Sequence, residues 1–244
     1  EDGQPGLSRS ERQMIQVEHC QGLSKGPHIR TDELRAEMKE LRFPLHFIDF
    51  ETNMVAIPFH KNQRPYEQIA FQFSHHMLHA DGHLEHKTEY LDDRIGMFPN
   101  FDFVRALKKA LENDDGAVLR FAAHENTVLN QIRGQLLRSA EPDQRELVAW
   151  IESLTTPPND SKGEWTPTRQ FVDMCEMTKR FFWLPEMAGS NSIKKVLPAV
   201  LNTAGFSLKL KFPEWITFDP KTNRIADPYK LLPPIFADVD PLEL

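Results

Sequence analysis

The length, composition and charge of the chain exclude several classes of protein. Its 244 residues are 40% hydrophobic and 27% charged, which is ordinary for a globular protein and unlike a disordered chain. The formal net charge of -7 argues against a protein that coats nucleic acid by bulk positive charge. Cys20 and Cys175 provide no disulfide framework, so we expect a cytoplasmic location. No apolar run approaches the ~20 residues of a membrane span, and we expect no membrane partner.

The two ends of the chain differ in composition from its middle. The first 30 residues lack a clear hydrophobic period and contain several Gly and Pro residues. We expect residues 1–30 to be a tail or linker from an upstream domain, and residues 31–244 to form one domain. The C-terminal part is rich in Pro and aromatic residues, which indicates an irregular extension.

Strand and helix patterns alternate between these ends. Strands are predicted at 45–52, 68–78, 83–91 and 117–123, with Asp81-Gly82 as the turn between the second and the third. Helices are predicted from Thr31 to the residues before Pro44, and at 101–113, 125–137, 142–154 and 192–201. Residues 171–182 are predicted to begin as a strand or helix and to continue as a helix. This alternation predicts an α/β fold with a mixed sheet flanked by helices.

The most informative motif is Asp49-Phe50-Glu51, in the first predicted strand. Residues i and i+2 of a strand point to the same face, so the two carboxylates project together. Carboxylates this close repel each other unless a cation lies between them, and Mg²⁺ or Mn²⁺ prefers such oxygen ligands. In the alternative, one acid is exposed and the other pairs with a lysine. The apolar flanking residues favour a metal site, because buried acids need a partner.

A third acid, Glu125, lies where a predicted strand gives way to a helix. Acids at such positions commonly cap the helix or complement its dipole. The end of a neighbouring strand can also bring Glu125 beside Asp49 and Glu51. His124 adjoins Glu125, and we expect it either to transfer protons or contact phosphate, or to hold a structural position at the helix N-terminus.

Six segments, in this order along the chain, resemble one family. They are PLHFIDFET, RPYEQIAFQFSHH, HLEHKTEYL, AAHENTVL, FVDM and GSNSIKKVLP. On these segments the sequence resembles the bacterial family called domain of unknown function 2779 (DUF2779). That family is in turn similar to the ribonuclease-H-like proofreading exonucleases of the DEDD superfamily.

The resemblance implies a ribonuclease-H-like fold and a metal-dependent nuclease, a 3′–5′ exonuclease that acts on single-stranded ends of DNA or RNA. It implies Asp49, Glu51 and Glu125 as ligands of Mg²⁺ or Mn²⁺, with two ions in a complete site. The alternative is a non-catalytic domain that keeps the fold and binds nucleic acid or has an architectural role within a larger protein.

The resemblance also implies a last carboxylate on a C-terminal helix, in a motif like Y-C-x-x-D-T that this sequence lacks. Asp227, Asp238 and Asp240 are present, but their Pro-rich surroundings do not favour a helix that bears a ligand. We expect this acid either to lie beyond Leu244 or to be lost. We therefore expect the chain by itself to be weakly active or inactive.

Other polar residues are candidates for further roles. By the same resemblance, Asp173 is expected to order a strand–helix junction rather than to bind metal. Ser192, Lys194 and Lys195 begin a predicted helix, where free N–H groups favour phosphate, so they either contact nucleic acid or form an ordinary solvated face. The clustered histidines lack the spacing of zinc ligands, and we expect them to be mainly exposed strand residues: His75, His76, His79, His83 and His86.

Overall fold

The computed structural model describes residues 6–61, 63–203, 213, 216–221 and 224–230. The chain divides into two compact units. We call Arg35–Met174 the sheet unit, and Glu1–Leu34 together with Cys175–Leu244 the terminal unit.

Helices and strands follow one another in nearly the predicted order. The helices are α1 (Arg9–Cys20), α2 (Thr31–Lys39), α3 (Asn100–Leu111), α4 (His124–Leu136), α5 (Gln144–Leu154), α6 (Met174–Phe181) and α7 (Ile193–Asn202). The strands are β1 (His28–Ile29), β2 (Leu45–Asn53), β3 (Ile69–Leu78), β4 (Leu84–Leu91), β5 (Val118–Arg120), β6 (Val172–Asp173) and β7 (Phe182–Trp183). The predicted mixed α/β fold is confirmed.

The sheet unit is built on a five-stranded mixed sheet in the order β4-β3-β2-β5-β6. The strands β2, β3 and β4 are antiparallel neighbours, and Gly82, with φ of 88°, supplies the turn between β3 and β4. The strands β5 and β6 run parallel to β2 on its other side. The carboxyl ends of β2, β5 and β6 therefore meet at one edge of the sheet.

The core of the sheet unit lies between one face of the sheet and helices α3, α4 and α5. Ile48 and Phe50 of β2 are buried in it, and Phe103 of α3 packs edge-on against Phe50 with ring centroids 4.9 Å apart. Leu129 of α4 and Ile151 of α5 are fully buried in the same cluster. Apolar residues recur at helical spacing within each of these helices, and this pattern predicts the helices from the sequence.

The terminal unit contains a helix that the hydrophobic pattern of residues 1–30 did not reveal. Only Ile15 is buried within α1, so the helix has almost no apolar stripe. Its local signal is a capping box, in which Ser8 and Glu11 satisfy each other's backbone N–H groups. The short strands β1 and β7 pair antiparallel in the same unit. The domain boundary near residue 30 stays a prediction.

Two further expectations concern the ends and the surface of the chain. Most of the expected irregular extension, including Asp238 and Asp240, lies outside the described residues. Asp227 is described and accepts a hydrogen bond from the backbone N–H of Tyr229 at 3.1 Å, at the start of a 3₁₀ turn. In the part of the chain that is described, no helix combines the length and apolar character needed to cross a bilayer.

Candidate functional site

The two acids of the Asp49-Phe50-Glu51 motif lie on the same face of β2, as their spacing predicts. Asp49 and Glu51 are exposed, whereas Ile48 and Phe50 between and beside them are buried. A register shift in the pairing with β3 follows directly, between Glu51 and Thr52. Such irregularities are common beside functional sites because they redirect side chains. The alternation places both carboxylates in solvent at the carboxyl half of β2.

Neighbouring strands deliver two more acids to this edge of the sheet. The strand β5 is in register with β2 at Phe47 and Leu119, and it ends one residue later at Arg120. The chain turns there and enters α4, whose first turn contains Glu125. Asp173 ends β6, directly opposite Arg120. In open α/β sheets, ligands bind outside the carboxyl ends of the parallel strands, and here β2, β5 and β6 end at this edge.

Glu125 is the most unusual of these acids. Only 3% of its surface is exposed, and its Oε2 atom is buried without a hydrogen-bond partner among the described residues. Burial, with a smaller contribution from the negative charges of Asp49 and Asp173, raises its pKa to about 7, against the opposing effects of a hydrogen bond to its own backbone and of Arg120. A strongly shifted carboxyl with a specific charged neighbour is characteristic of functional sites. The electrostatic coupling also shows that Asp49, Glu125 and Asp173 share one neighbourhood.

The acids do not form a ready-made metal centre. Among the described residues, no group of three or more His, Cys, Asp or Glu side chains is arranged so that it could hold a metal ion. The convergence of Asp49, Glu51 and Glu125 on a metal ion stays a prediction. Asp49 and Glu51 are exposed, whereas Glu125 is enclosed.

Asp173 organises the junction between β5 and α4. Its Oδ2 atom lies 3.0 Å from Nη1 of Arg120, and its Oδ1 atom accepts a hydrogen bond from the backbone N–H of Ala122 at 3.1 Å. Ala122 has a φ of 71°, a left-handed conformation that is unfavourable for Ala. The contact from Asp173 holds this turn and so fixes where α4, and with it Glu125, begins. These contacts are those expected of the structural role predicted for Asp173.

His124 lies exposed at the first position of α4. Its Nε2 atom is 3.2 Å from Oγ1 of Thr52, which immediately follows Glu51 on β2. The pair joins the start of α4 to the carboxyl end of β2, a link that the sequence did not indicate. His124 is thus placed beside the acidic edge of the sheet.

Ser192, Lys194 and Lys195 belong to the terminal unit. Ser192 occupies the N-cap position of α7, and its side chain makes no capping hydrogen bond. Lys194 and Lys195 are exposed and line a depression of about 340 Å³, together with Glu186 and Arg224. The predicted contact of these lysines with phosphate stays a prediction.

Replacing Lys194 and Lys195 together by Ala is expected to weaken nucleic-acid binding and to flatten its dependence on salt. Each phosphate contact that is lost lowers by about one the number of counterions released on binding. The loss of two contacts therefore changes the slope of log K against log [salt] by about two. Fluorescence anisotropy with a labelled oligonucleotide at several salt concentrations measures the slope. An unchanged slope would identify this surface as an ordinary solvated helix face.

One of the clustered histidines contradicts the expectation of exposure. His75 is 0% exposed, and His46 of β2 is 1% exposed beside it. A chain of contacts runs from Asp114 Oδ1 to His46 Nε2 (2.8 Å), from His46 Nδ1 to His75 Nε2 (2.9 Å), and from His75 Nδ1 to Thr88 Oγ1 (3.0 Å). Burial lowers the pKa of His75 to about 4, so its ring is neutral at pH 7. The prediction for His75 was wrong because its face of β3 is covered in the fold.

Replacing Asp114 by Ala is expected to cost about 2 kcal/mol of stability, because it leaves the buried His46 N–H without an acceptor. It also removes the acceptor for the Gly116 N–H, which lies 2.8 Å from Asp114. Urea unfolding at pH 7.5 measures the loss. The matched control is Asp115→Ala, since Asp115 is exposed and its contact with Arg42 is a 3.7 Å surface pair. Equal losses in both variants would show that the chain of contacts does not stabilise the fold.

The domain is of the mixed α/β class, and acidic side chains lie at the carboxyl ends of its parallel strands. The chain belongs to the family described as domain of unknown function (DUF2779), whose model matches residues 46–192. The matched segment runs from β2 to the N-cap of α7 and therefore includes every acid of the candidate site. No curated protein and no solved structure matches the chain significantly.

Proposed function

We propose that the chain is a metal-dependent nuclease with a ribonuclease-H-like fold, acting as a 3′–5′ exonuclease on single-stranded ends of DNA or RNA. The observation that carries the proposal is Glu125, a buried carboxyl with an unpartnered oxygen, coupled to Asp49 at an edge where three parallel strands end. A structural acid in such a position would be paired, because an isolated buried charge is costly. An acid that binds a cation does not need a protein partner.

The sheet supports the fold assignment. The likeness to ribonuclease-H-like proteins implies a mixed sheet flanked by helices. The strand β2 is the central strand of the sheet, so Asp49 and Glu51 lie on the middle strand. The hairpin β3–β4 lies on one side of β2, and the parallel strands β5 and β6 lie on the other. This leaves the carboxyl end of β2 open to a ligand.

The donor set suits a hard divalent cation, which prefers carboxylate oxygens. Asp49, Glu51 and Glu125 would hold Mg²⁺ or Mn²⁺, and Oε2 of Glu125 is available because no protein group bonds to it among the described residues. The exposed carboxylates of Asp49 and Glu51 are free to change rotamer, which such binding would require. When bound, the ions supply an activated water and stabilise the leaving oxygen of a phosphodiester.

The chain's own groups contribute proton handling and orientation. With a pKa of about 7, Glu125 is near half protonation at neutral pH when the site holds no cation. The Thr52–His124 contact fixes the imidazole at the mouth of the site, next to Glu51. His124 can therefore accept or donate a proton at Nδ1 while Nε2 stays bonded to Thr52.

The loop between β2 and β3 supports a single-stranded substrate. It starts directly after the acidic end of β2 and exposes Phe59 and Tyr66 by 66% and 63%. Lys61 and Arg64 of the same loop are exposed as well. Aromatic side chains interleaved with cations bind single strands by stacking on bases and pairing with phosphates. Tyr66 also adopts a φ of 60°, a strained conformation of the kind that clusters at functional sites.

Replacing Phe59 or Tyr66 by Ala is expected to raise the KM for a single-stranded substrate about tenfold each, with a smaller change in kcat, because one stacking contact per base is lost. Initial rates on labelled oligonucleotides measure both constants. Leu137→Ala is the control, since Leu137 is also exposed but follows the far end of α4. An effect of the control as large as that of Phe59→Ala would contradict a stacking role.

One observation favours a different function. Because the described side chains form no three-ligand metal group, the domain could have kept the fold without catalysis and could bind nucleic acid or serve as an architectural part of a larger protein. The two functions differ in their response to Mn²⁺, which a nuclease site binds and a vestigial site does not.

Two measurements on the purified chain test the proposal. In the first, Mn²⁺ is expected to raise the melting temperature, because a ligand that binds only the native state stabilises it. In the second, end-labelled single- and double-stranded DNA and RNA are incubated with Mg²⁺ or Mn²⁺, and shortening from the 3′ end is followed on gels. If Mn²⁺ does not stabilise the protein and no substrate is cleaved, the non-catalytic function is the better account.

A further inference from the structure

Two buried histidines lie on neighbouring strands of the sheet unit, and neither belongs to the candidate site. His46 of β2 is 1% exposed, and His75 of β3 is 0% exposed. Nδ1 of His46 lies 2.9 Å from Nε2 of His75, and the rings stack with their centroids 5.1 Å apart. We call these two residues the buried histidine pair. The proposed nuclease mechanism does not use either ring.

The groups at the two ends of the pair fix where its protons lie. Despite the opposing effect of burial, hydrogen bonds from the Gly116 N–H and from His46 lower the pKa of Asp114, so Asp114 is ionised at neutral pH. An ionised carboxylate only accepts, so Nε2 of His46 is the donor in the 2.8 Å contact with Asp114. With one proton on each ring, Nδ1 of His46 then accepts from Nε2 of His75, and Nδ1 of His75 accepts from the hydroxyl of Thr88 at 3.0 Å. Every ring nitrogen has a partner while both rings are neutral.

Added protons disturb this arrangement in two steps. A first extra proton is accommodated only if the hydroxyl of Thr88 turns from donor to acceptor. A second one places an N–H group of each ring at the 2.9 Å contact between His46 and His75, where two donors repel each other. Each step also places a positive charge in a buried position, which is costly.

Asp114 attracts a proton to the pair, but the other charged groups around the pair oppose it. Nη2 of Arg169 lies 3.4 Å from Oδ1 of Asp114, so this carboxylate is already shared with a cation. A charge on His46 also opposes a charge on His75. Three further groups oppose protonation of the pair: His76, His79 and Lys87. Burial is the main cause, and with these charges it lowers the pKa of both rings and brings that of His75 to about 4.

We propose that the buried histidine pair is a proton-sensitive latch, which joins β2 to β3 while both rings are neutral and is released when the rings take up protons. Through its outer contacts, the pair also reaches Thr88 of β4 and Asp114, which precedes β5. Release in acid therefore removes a side-chain link between four successive segments of the sheet unit.

The direction of the pH effect follows from the two states of the chain. A histidine in the unfolded chain takes up its proton near pH 6.5. In the folded chain His75 takes up a proton only near pH 4. The unfolded state therefore binds more protons between these values, so the stability from the pair is complete above about pH 6.5 and is lost as the pH falls toward 4.

The test is urea unfolding of the wild type and of His75→Gln at pH 7.5 and pH 5. Gln does not titrate, and its amide N–H can still donate toward His46. From pH 7.5 to pH 5, the unfolding equilibrium constant of the wild type is expected to rise about 25-fold more than that of the variant. The comparison with a variant is needed because Glu125, present in both proteins, changes stability in the opposite direction over this range.

The matched control is His83→Gln, since His83 is exposed in the same hairpin, between its turn and β4. This variant is expected to keep the pH dependence of the wild type. Equal pH dependence in the wild type and in His75→Gln would overturn the latch. If His75→Gln does not fold, the ring ¹⁵N chemical shifts of the wild type decide. They are expected to show His75 neutral with its proton on Nε2 at pH 5.5, and a positively charged ring at that pH would overturn the proposal.

Discussion

Replacing Asp49 by Asn is expected to reduce metal-dependent cleavage at least about a hundredfold while leaving the fold intact. Loss of a group that merely orients a metal ligand typically costs ten- to a hundredfold, and loss of a ligand costs at least as much. The fold should survive because Asp49 is exposed and Asn keeps its size. Initial cleavage rates at saturating Mn²⁺, with circular dichroism of the same samples, give both quantities.

The control for this experiment is Asp93→Asn, an equally conservative change at an exposed acid outside the strands. It is expected to cleave at the wild-type rate. Cleavage that persists in Asp49→Asn would come either from a contaminating nuclease or from a site that does not use Asp49. Absence of cleavage in every variant and in the wild type agrees with the weak activity expected of the chain by itself, so it favours the non-catalytic function only if Mn²⁺ also fails to raise the melting temperature.

Replacing Glu125 by Gln is expected to stabilise the metal-free protein by up to about 3 kcal/mol above pH 7. The pKa of Glu125 is raised from 4.5 to about 7 in the folded chain. A raised carboxyl pKa means that the native state holds the proton more tightly than the unfolded state does. Stability from this group is therefore present below pH 4.5 and is lost as pH rises toward 7, at about 1.4 kcal/mol per unit. Gln does not ionise, so the variant does not lose this stability as the pH rises.

The measurement is urea unfolding of both proteins at pH 5 and pH 8 in the presence of a chelator. The difference between variant and wild type should be small at pH 5 and largest at pH 8. The control is Glu51→Gln, because the exposed Glu51 should change the free energy of unfolding by less than about 0.5 kcal/mol at either pH. A difference that does not depend on pH would show that Glu125 ionises in the fold as it does in water.

These two expectations describe a trade between stability and activity. If Glu125 helps to hold a divalent cation, the Gln variant gains stability without metal and loses both the stabilisation by Mn²⁺ and the cleavage. Residues kept at a cost in stability are a mark of functional sites. A Glu125→Gln variant that remained fully active would remove Glu125 from the site and leave only its burial to be explained.

Local pattern was enough to predict most elements of the sheet unit. The alternation in β2 placed Asp49 and Glu51 on one face, and the change of period before α4 placed Glu125 at a strand–helix junction. Both predictions depend on the geometry of one element or of two successive elements. The antiparallel hairpin β3–β4 followed from Asp81-Gly82 for the same reason.

Depth in the structure could not be predicted in this way. Whether Glu125 is enclosed, or His75 is covered, depends on which distant segments pack over them, and a single sequence does not specify this. The capping box of α1 was a readable local signal, but a helix with one buried residue has no periodic pattern to support it. The turn at Ala122 depends on Asp173, which lies 51 positions away along the chain.

The two outer strands of the described sheet differ in a way that bears on how the protein behaves at high concentration. A strand at the edge of a sheet offers unpaired N–H and C=O groups to any other extended chain. On one side the outer strand β4 carries Glu85, Lys87 and Glu89, and a second copy would bring like charges together. On the other side β6 is only two residues long and offers almost nothing to pair with. The charged side chains of β4 and the short length of β6 both oppose pairing with another chain, which disfavours growth into fibrils.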